Sequence, residues 1–309
     1  LRSTFVDAAI RAVFNGRIHP DWRACMTLTG RWTVKAPPIH GVPKEERRKV
    51  KYFKASNLRE VFVPSPGKVL VWGDVDQLEL KVIAIVSRCQ SLVDALADPK
   101  RNVHTEYTSR LFGIPLDQAG DSPLRRLWKN FIFQWCYGGT PDAIFAKLRV
   151  DFPDLKPHEC VKLHYRLRRE FPEIVAWWDE IARELNAGQG VEWPVMRAKM
   201  LGRRIRNFCG GFEENRNEAF NFPIQEGGAS IVNAATTRID DGLAEISGAG
   251  LVLQVHDELG VECWERDALR VGKLMQDVFT EVSKPFKPLV FRVKIEQGKR
   301  WSVGEKLAA

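Results

Sequence analysis

Two short acidic segments, Asp74-Val75-Asp76-Gln77-Leu78-Glu79 and His256-Asp257-Glu258, lie far apart in the chain. Each closes an apolar run, Val69-Leu70-Val71-Trp72 before Asp74 and Leu251-Val252-Leu253-Gln254-Val255 before His256. Short apolar runs bounded by polar residues read as buried strands, so both segments present carboxylates at a strand end. Aspartates delivered this way can share divalent cations. Two metals about 3.5–4 Å apart stabilise both the attacking and the leaving oxygen of an in-line phosphoryl displacement. Magnesium suits the role because it takes one or two carboxylates and leaves its other positions to water and substrate phosphates. The expected cofactor is therefore a pair of Mg2+ ions, with Mn2+ able to substitute, and the expected chemistry is nucleotidyl transfer.

Between the acidic segments, Arg125, Lys129, Phe133 and Tyr137 recur at a spacing of four. On a helix they share one face, where a guanidinium and an ammonium can hold triphosphate oxygens and two aromatic rings can meet bases. Taken alone, the same pattern reads slightly better as an amphipathic helix with two surface charges and two core aromatics. The acidic pair tips the reading toward chemistry.

The elements that must position these groups follow from periodicity. After the strand before Asp74, residues 78–97 and 103–112 show helical apolar spacing, and 122–186 reads as mostly helix punctuated by Gly138-Gly139, Pro153 and Pro157. Residues 188–211 are basic and turn-rich, as in a hairpin or loop, and 44–51 form a charge cluster suited to a solvated turn or helix face. Helical spacing returns from Glu218 to Ile246. Leu251–Glu262 reads as a hairpin with His256-Asp257-Glu258 at its turn, then a helix over 266–283 and a last strand over Leu289–Ile295. Strands at both ends and helices in the middle predict an α+β fold: an antiparallel sheet domain interrupted by a helical insertion.

Composition sets the bounds. The 309 residues are 44% hydrophobic, enough for a large core, and Lys plus Arg (47) exceed Asp plus Glu (39), for a net charge of +8 that favours a polyanionic partner. Six cysteines show no zinc-type spacing, which predicts free thiols in a reducing compartment and no structural metal. No stretch has the length of apolar sequence needed to cross a membrane and no secretory leader is visible. The chain starts at Leu1 without Met, as expected of a piece of something longer. A cytoplasmic setting is expected, in a bacterial nucleoid or a phage-infected cell, with an organelle as the alternative.

Asp-x-x-Gln-x-Glu-Leu at 74–80, Arg-x-x-x-Lys-x-x-x-Phe-x-x-x-Tyr-Gly at 125–138 and Gln-Val-His-Asp-Glu-Leu at 254–259 resemble motifs A, B and C of the family A DNA polymerases, the DNA polymerase I type. Leu1-Arg2-Ser3-Thr4-Phe5, Thr27-Leu28-Thr29-Gly30-Arg31, Val103-His104 and Gly298-Lys299-Arg300-Trp301 are similar to further elements of that family, so the likeness covers nearly the whole chain. It implies a right-hand architecture: palm over residues 1–88, helical fingers over 89–215 with the motif B helix at 125–138, and palm again over 216–309. Neither thumb nor exonuclease is recognisable; an upstream thumb and exonuclease region or a processivity partner would complete such an enzyme. The implied partners are primer–template DNA and deoxynucleoside triphosphates.

Carried over residue by residue, the resemblance implies that Asp74, Asp257 and the backbone carbonyl of Val75 bind the metals, with Glu258 supporting them. Gln77, Glu79, His104, Arg125, Lys129, Phe133 and Tyr137 would meet the incoming nucleotide. Lys129 would act with the carboxylates in catalysis, and Glu79 would be the steric gate beneath the sugar. Arg31, Asn221, Gln225 and His256 would probe the minor groove, where purine N3 and pyrimidine O2 accept from any donor regardless of sequence.

Some positions depart from the family pattern. Asp76 replaces a commoner small residue and, two along the strand from Asp74, becomes a candidate third carboxylate on the same face. Pro38, His40 and Asn217 stand where relatives carry other template- or primer-contacting residues. Two rivals stand against the polymerase reading: a single-subunit RNA polymerase, opposed by Glu79 and Phe133, and a thumbless polymerase fragment or relative that binds nucleic acid with little activity of its own.

Overall fold

The computed structural model describes residues 5–42, 58–187, 191–192, 205–206 and 212–307. The charge cluster at 44–51 lies outside the described residues, as does most of 188–211, of which Val191–Glu192 and Ile205–Arg206 pair as an antiparallel hairpin.

Lys68–Val75 is a strand buried along nearly its whole length, which requires a central position with cover on both faces. It pairs antiparallel with Glu258–Trp264 on one side and Val293–Arg300 on the other. Gly250–Val255 and Val303–Lys306 form the outer edges of the five-stranded sheet. Alternation puts Val69, Val71, Gly73 and Val75 on one face. The helix Ala268–Val282 covers that face with Val271, Met275, Val278, Phe279 and Val282, spaced at three and four. The approach is close at Gly73, where a Cβ would stand 2.2 Å from Val293 and 3.4 Å from Met275. The opposite face carries Leu70 and Trp72 into a cluster with Val34, Ile39, Val42, Leu253, Val255 and Trp301.

The last strand differs from expectation. Leu289–Ile295 has the apolar character of a strand, yet pairing starts only at Val293, opposite Val75. Val75 is the final residue of the central strand, so Leu289–Arg292 run beyond its end and, among the described residues, join no ladder; the strand extends instead to Arg300. The polar edge strand Val303–Lys306 gave no apolar signal.

Helices make up the rest. Those at Pro123–Cys136, Pro141–Leu148, Pro157–Glu170 and Pro172–Asn186 each begin with proline, whose missing N–H costs nothing in a first turn. Ser122 and Thr140 cap the first two by accepting from Leu124 and Ala143 N–H groups. Aromatic packing binds them: Trp135 meets Trp178 at 4.7 Å between ring centroids, and Trp178 stacks on Phe220 at 5.5 Å. Gly138, at φ +77, ends the Pro123–Cys136 helix with the Phe220 ring only 2.4 Å from where a Cβ would sit, so no other residue fits there. The helix Phe212–Leu243 starts earlier than its apolar spacing indicates and runs through Pro223. Among the described residues no helix is long and apolar enough to cross a membrane.

The chain divides into two compact units. The sheet unit comprises Leu1–Leu78, Gly228–Pro285 and Val290–Ala309; the helical unit comprises Glu79–Gly227 and Phe286–Leu289.

The helical unit contains one titration that should show in its stability. Burial, with Arg168 and Arg216 nearby, pushes the His164 imidazole down to about 4 from 6.5. A folded-state value below the unfolded one means the folded form resists protonation, so this contribution is complete above 6.5 and is lost as pH falls toward about 4. His164→Gln, which cannot titrate, should lose fewer degrees of Tm than the unchanged protein between pH 6.5 and 4, by about 2–4 °C for each 1 kcal/mol removed. Parallel melts at the two pH values check this; identical losses in both proteins would rule it out.

Candidate active site

Sheet register brings the two acidic segments to one place. Asp74 pairs directly with Glu258, and the Val75 N–H donates to the Asp257 carbonyl at 3.2 Å. Asp74 thus ends the central strand, and Asp257 lies in the two-residue turn joining Gly250–Val255 to Glu258–Trp264. His256 opens that turn at φ +59, a left-handed conformation in which histidine is several-fold enriched over most residues. Such strain costs about 1–3 kcal/mol and persists where the surroundings over-determine it. Here they do: Gln254 Nε2 donates to the His256 carbonyl at 3.1 Å, and the His256 ring tilts against His40 at 5.2 Å.

His40 itself is held by the Gln254 carbonyl at 2.7 Å, which assigns the donating proton to Nε2. Its pKa is lowered, chiefly by burial; the bond to Gln254 opposes this and the Arg31 charge adds to it. Arg31 leaves a turn closed by its own N–H to Thr27 Oγ1 at 2.8 Å, and Asn233 Nδ2 anchors the turn through the Gly30 carbonyl at 2.9 Å.

Glu258 is buried, at 7% exposure, and its carboxylate has partners from two other segments. Trp301 Nε1 donates to Oε1 at 2.5 Å and Arg59 Nη1 approaches Oε2 at 3.4 Å. Asp76 is also committed. The strand stops at Val75, and Asp76 enters a turn with Gln77 at φ +53, where Lys294 Nζ donates to its carboxylate at 2.9 Å and Gln77 Nε2 approaches at 3.4 Å. The expectation of a third carboxylate continuing the strand face therefore gives way to an ion pair. Among the described residues no group of three or more His, Cys, Asp or Glu side chains is arranged to hold a metal ion. The Asp74 and Asp257 carboxylates make a donor set of hard oxygens, which fits magnesium, since that ion needs only one or two carboxylates from protein.

In the helical unit, Arg125, Lys129 and Phe133 share the Pro123–Cys136 helix, and Tyr137 is its C-cap. Leu127, Trp128, Phe131, Ile132, Trp135 and Cys136 form the buried side, which leaves Lys129 exposed and Phe133 and Tyr137 half-buried. Arg125 Nε donates to Thr105 Oγ1 at 3.3 Å, and the buried His104 ring tilts against Phe133 at 6.3 Å. Of the residues expected to meet the nucleotide, His104 and Phe133 are thus neighbours, and Arg125 reaches the residue next to His104. Asn221 and Gln225, four apart on the Phe212–Leu243 helix, are half-buried where Phe222, Pro223, Ile224 and Glu226 are buried, so they mark a polar stripe on an otherwise packed segment. Glu79 is half-buried in the first turn of the helix Leu78–Val86, between buried Leu78 and Leu80.

Likeness to known proteins extends along the same residues. The model of DNA polymerase family A matches residues 1–303. The chain belongs to DNA polymerase family A. It is 28% identical over 303 residues to the thermostable DNA polymerase I of Thermus aquaticus, covering 96% of this chain and 34% of that protein. It is 30% identical over 307 residues to DNA polymerase I of Lactococcus lactis subsp. lactis, covering 97% of this chain and 33% of that protein. The chain thus spans about a third of the length of these curated relatives. The POL domain of Pol1 from M. smegmatis, solved in complex with DNA primer-template and dNTP, shares the fold, with a TM-score of 0.80 at 22% identity over 96% of this chain and 50% of that one.

Two residues around the acidic turn of this family A chain carry no sequence signal for the place they take. Trp301 stands out only as part of a closing segment. Arg59 lies in the short turn Leu58–Val61, where no periodicity or motif singles it out.

Proposed function

We propose that this chain is the catalytic portion of a template-directed DNA polymerase, which adds deoxynucleotides to a primer 3′-end and releases pyrophosphate in DNA replication or repair. Family membership supports the class of reaction. The observation that carries the reading to these residues is the register that sets Asp74 against Glu258 and joins Val75 to Asp257.

The sheet unit serves as palm and the helical unit as fingers. Asp74, Asp257 and the Val75 carbonyl would hold two Mg2+ ions, which when bound supply charge neutralisation at the phosphoryl group and at the oxygens entering and leaving it. Arg125, Lys129 and His104 bind the triphosphate as cations and donors; Lys129, exposed on its helix, faces the charge that builds in the transition state. Gln77 helps to line the nucleotide site. Phe133 packs on the nucleotide and Tyr137 guards the templating position. Arg31, Asn221, Gln225 and His256 offer donors to the minor groove, testing pair geometry without reading sequence. Primer–template DNA and deoxynucleoside triphosphates are the partners.

Extension of a labelled primer on a defined template, with Mg2+ and each deoxynucleotide in turn, tests this reading directly. Templated addition supports it, and addition that ignores the template, or none by either this chain or a longer protein containing it, refutes it. Phe133→Tyr sharpens the test, because a tyrosine hydroxyl at that position takes the place of the 3′-OH that a dideoxynucleotide lacks. An unpaired buried polar group costs roughly 1–3 kcal/mol, so dideoxynucleotide use should rise at least about fivefold relative to deoxynucleotide. Competition between the two on one template measures it; unchanged selectivity would show that Phe133 does not face the nucleotide.

A further inference from the structure

Glu258 follows Asp257 directly and opposes Asp74 across the sheet, yet it is a buried carboxylate, and a buried charge persists only where partners compensate it. Those partners come from two other segments. Arg59, from the turn Leu58–Val61, places its guanidinium 4.2 Å over the Trp301 ring while its Nη1 approaches Glu258 at 3.4 Å. Trp301, fully buried between the strands Val293–Arg300 and Val303–Lys306, donates its indole N–H to Glu258 at 2.5 Å. The three groups close a triangle.

Each corner is itself anchored. Arg59 Nε donates to the Val42 carbonyl at 3.3 Å, the Trp301 backbone N–H donates to the Phe62 carbonyl at 3.0 Å, and the Phe62 ring meets Trp301 edge-on at 5.7 Å. The arrangement therefore fixes the first residue of the strand that leaves the His256-Asp257 turn.

We propose that Arg59 and Trp301 are positioning residues that hold Asp257 in place through Glu258, and that Glu258 acts as their anchor rather than as a metal ligand. The inference rests on the reading of Asp74 and Asp257 as the metal-binding pair. With the Asp257 carbonyl bonded to the Val75 N–H and the next residue, Glu258, clamped by its side chain, the side of the turn that carries Asp257 is held at two successive residues. Removing either clamp partner frees it.

Trp301→Phe keeps a ring under Arg59 but deletes the indole donor; Arg59→Lys keeps the charge but deletes the planar fork that spans ring and carboxylate. Partners that orient metal ligands are typically worth 10–100-fold in affinity or activity. Each variant is therefore expected to bind Mn2+ roughly tenfold or more weakly in an electron paramagnetic resonance titration well below its Tm, and to lower kcat by a similar factor with the nucleotide KM within about twofold. Arg59→Lys keeps the test decisive should Trp301→Phe fail to fold. Mn2+ affinity and kcat within about twofold of the unchanged protein in a folded variant would overturn the proposal, leaving a purely structural triangle. Asp74→Ala run alongside separates the two readings: if it binds Mn2+ as well as the unchanged protein, the metal-binding pair is wrong; if it binds weakly while the clamp variants do not, only the clamp is wrong.

Discussion

Asp74→Ala and Asp257→Ala are each expected to lower the rate of nucleotide incorporation at least about a thousandfold while leaving the fold and DNA binding close to unchanged. Stabilisation of transition-state charge by a bound metal is worth several kcal/mol, and about 4 kcal/mol corresponds to a factor of a thousand. Neither substitution should unfold the sheet. Asp74 is exposed at the end of its strand, and Asp257 contributes to the ladder through its backbone carbonyl, which alanine keeps. Glu258→Gln should cost less, because a glutamine oxygen can still accept from Trp301. Single-turnover incorporation, circular dichroism and a DNA-binding isotherm on the three variants check these expectations together. Incorporation by either aspartate variant within about tenfold of the unchanged protein would remove the carboxylate pair from the chemistry.

Glu79→Ala is expected to relax discrimination against ribonucleotides by about 5- to 150-fold. Glu79 sits in the first turn of Leu78–Val86, half-buried between Leu78 and Leu80, so its backbone is held by neighbours that pack into the core. A carboxylate held beneath C2′ leaves no space for a hydroxyl, and forcing extra atoms into a filled site costs about 1–3 kcal/mol, which is a factor of about 5 to 150 in relative rate. Alanine removes the obstruction. The deoxynucleotide rate should also fall somewhat, since the sugar then lacks a packing surface. The ratio of kcat/KM for matched deoxy- and ribonucleotides is the measurement, and an unchanged ratio would mean that Glu79 is not the gate.

Much of this molecule could be read from its residues in order. Apolar runs before Asp74 and before His256 are strands because β-branched and leucine side chains crowd between turn residues, and the carboxylates follow where the run stops. The spacing that groups Arg125, Lys129 and Phe133 on one side of a helix holds because Leu127, Trp128, Phe131 and Trp135 fill the other. Prolines at 123, 141, 157 and 172 open helices where their missing N–H is harmless, and Gly138 ends one where a side chain would strike Phe220.

What the order of residues left open depended on partners distant in the chain. Leu289–Arg292 look like strand, but Val75 ends the only ladder in reach among the described residues. Asp76 looks like a third site carboxylate, but Lys294 lies opposite Asp74 and reaches it. Glu258 reads as a support for the metal-binding pair, but that Arg59 and Trp301 are its partners is not visible in the order of residues. Periodicity reports which face of an element is apolar, because neighbours along the chain set that; which side chain meets a given carboxylate is decided by register and packing between segments, where one residue of slip would exchange every partner.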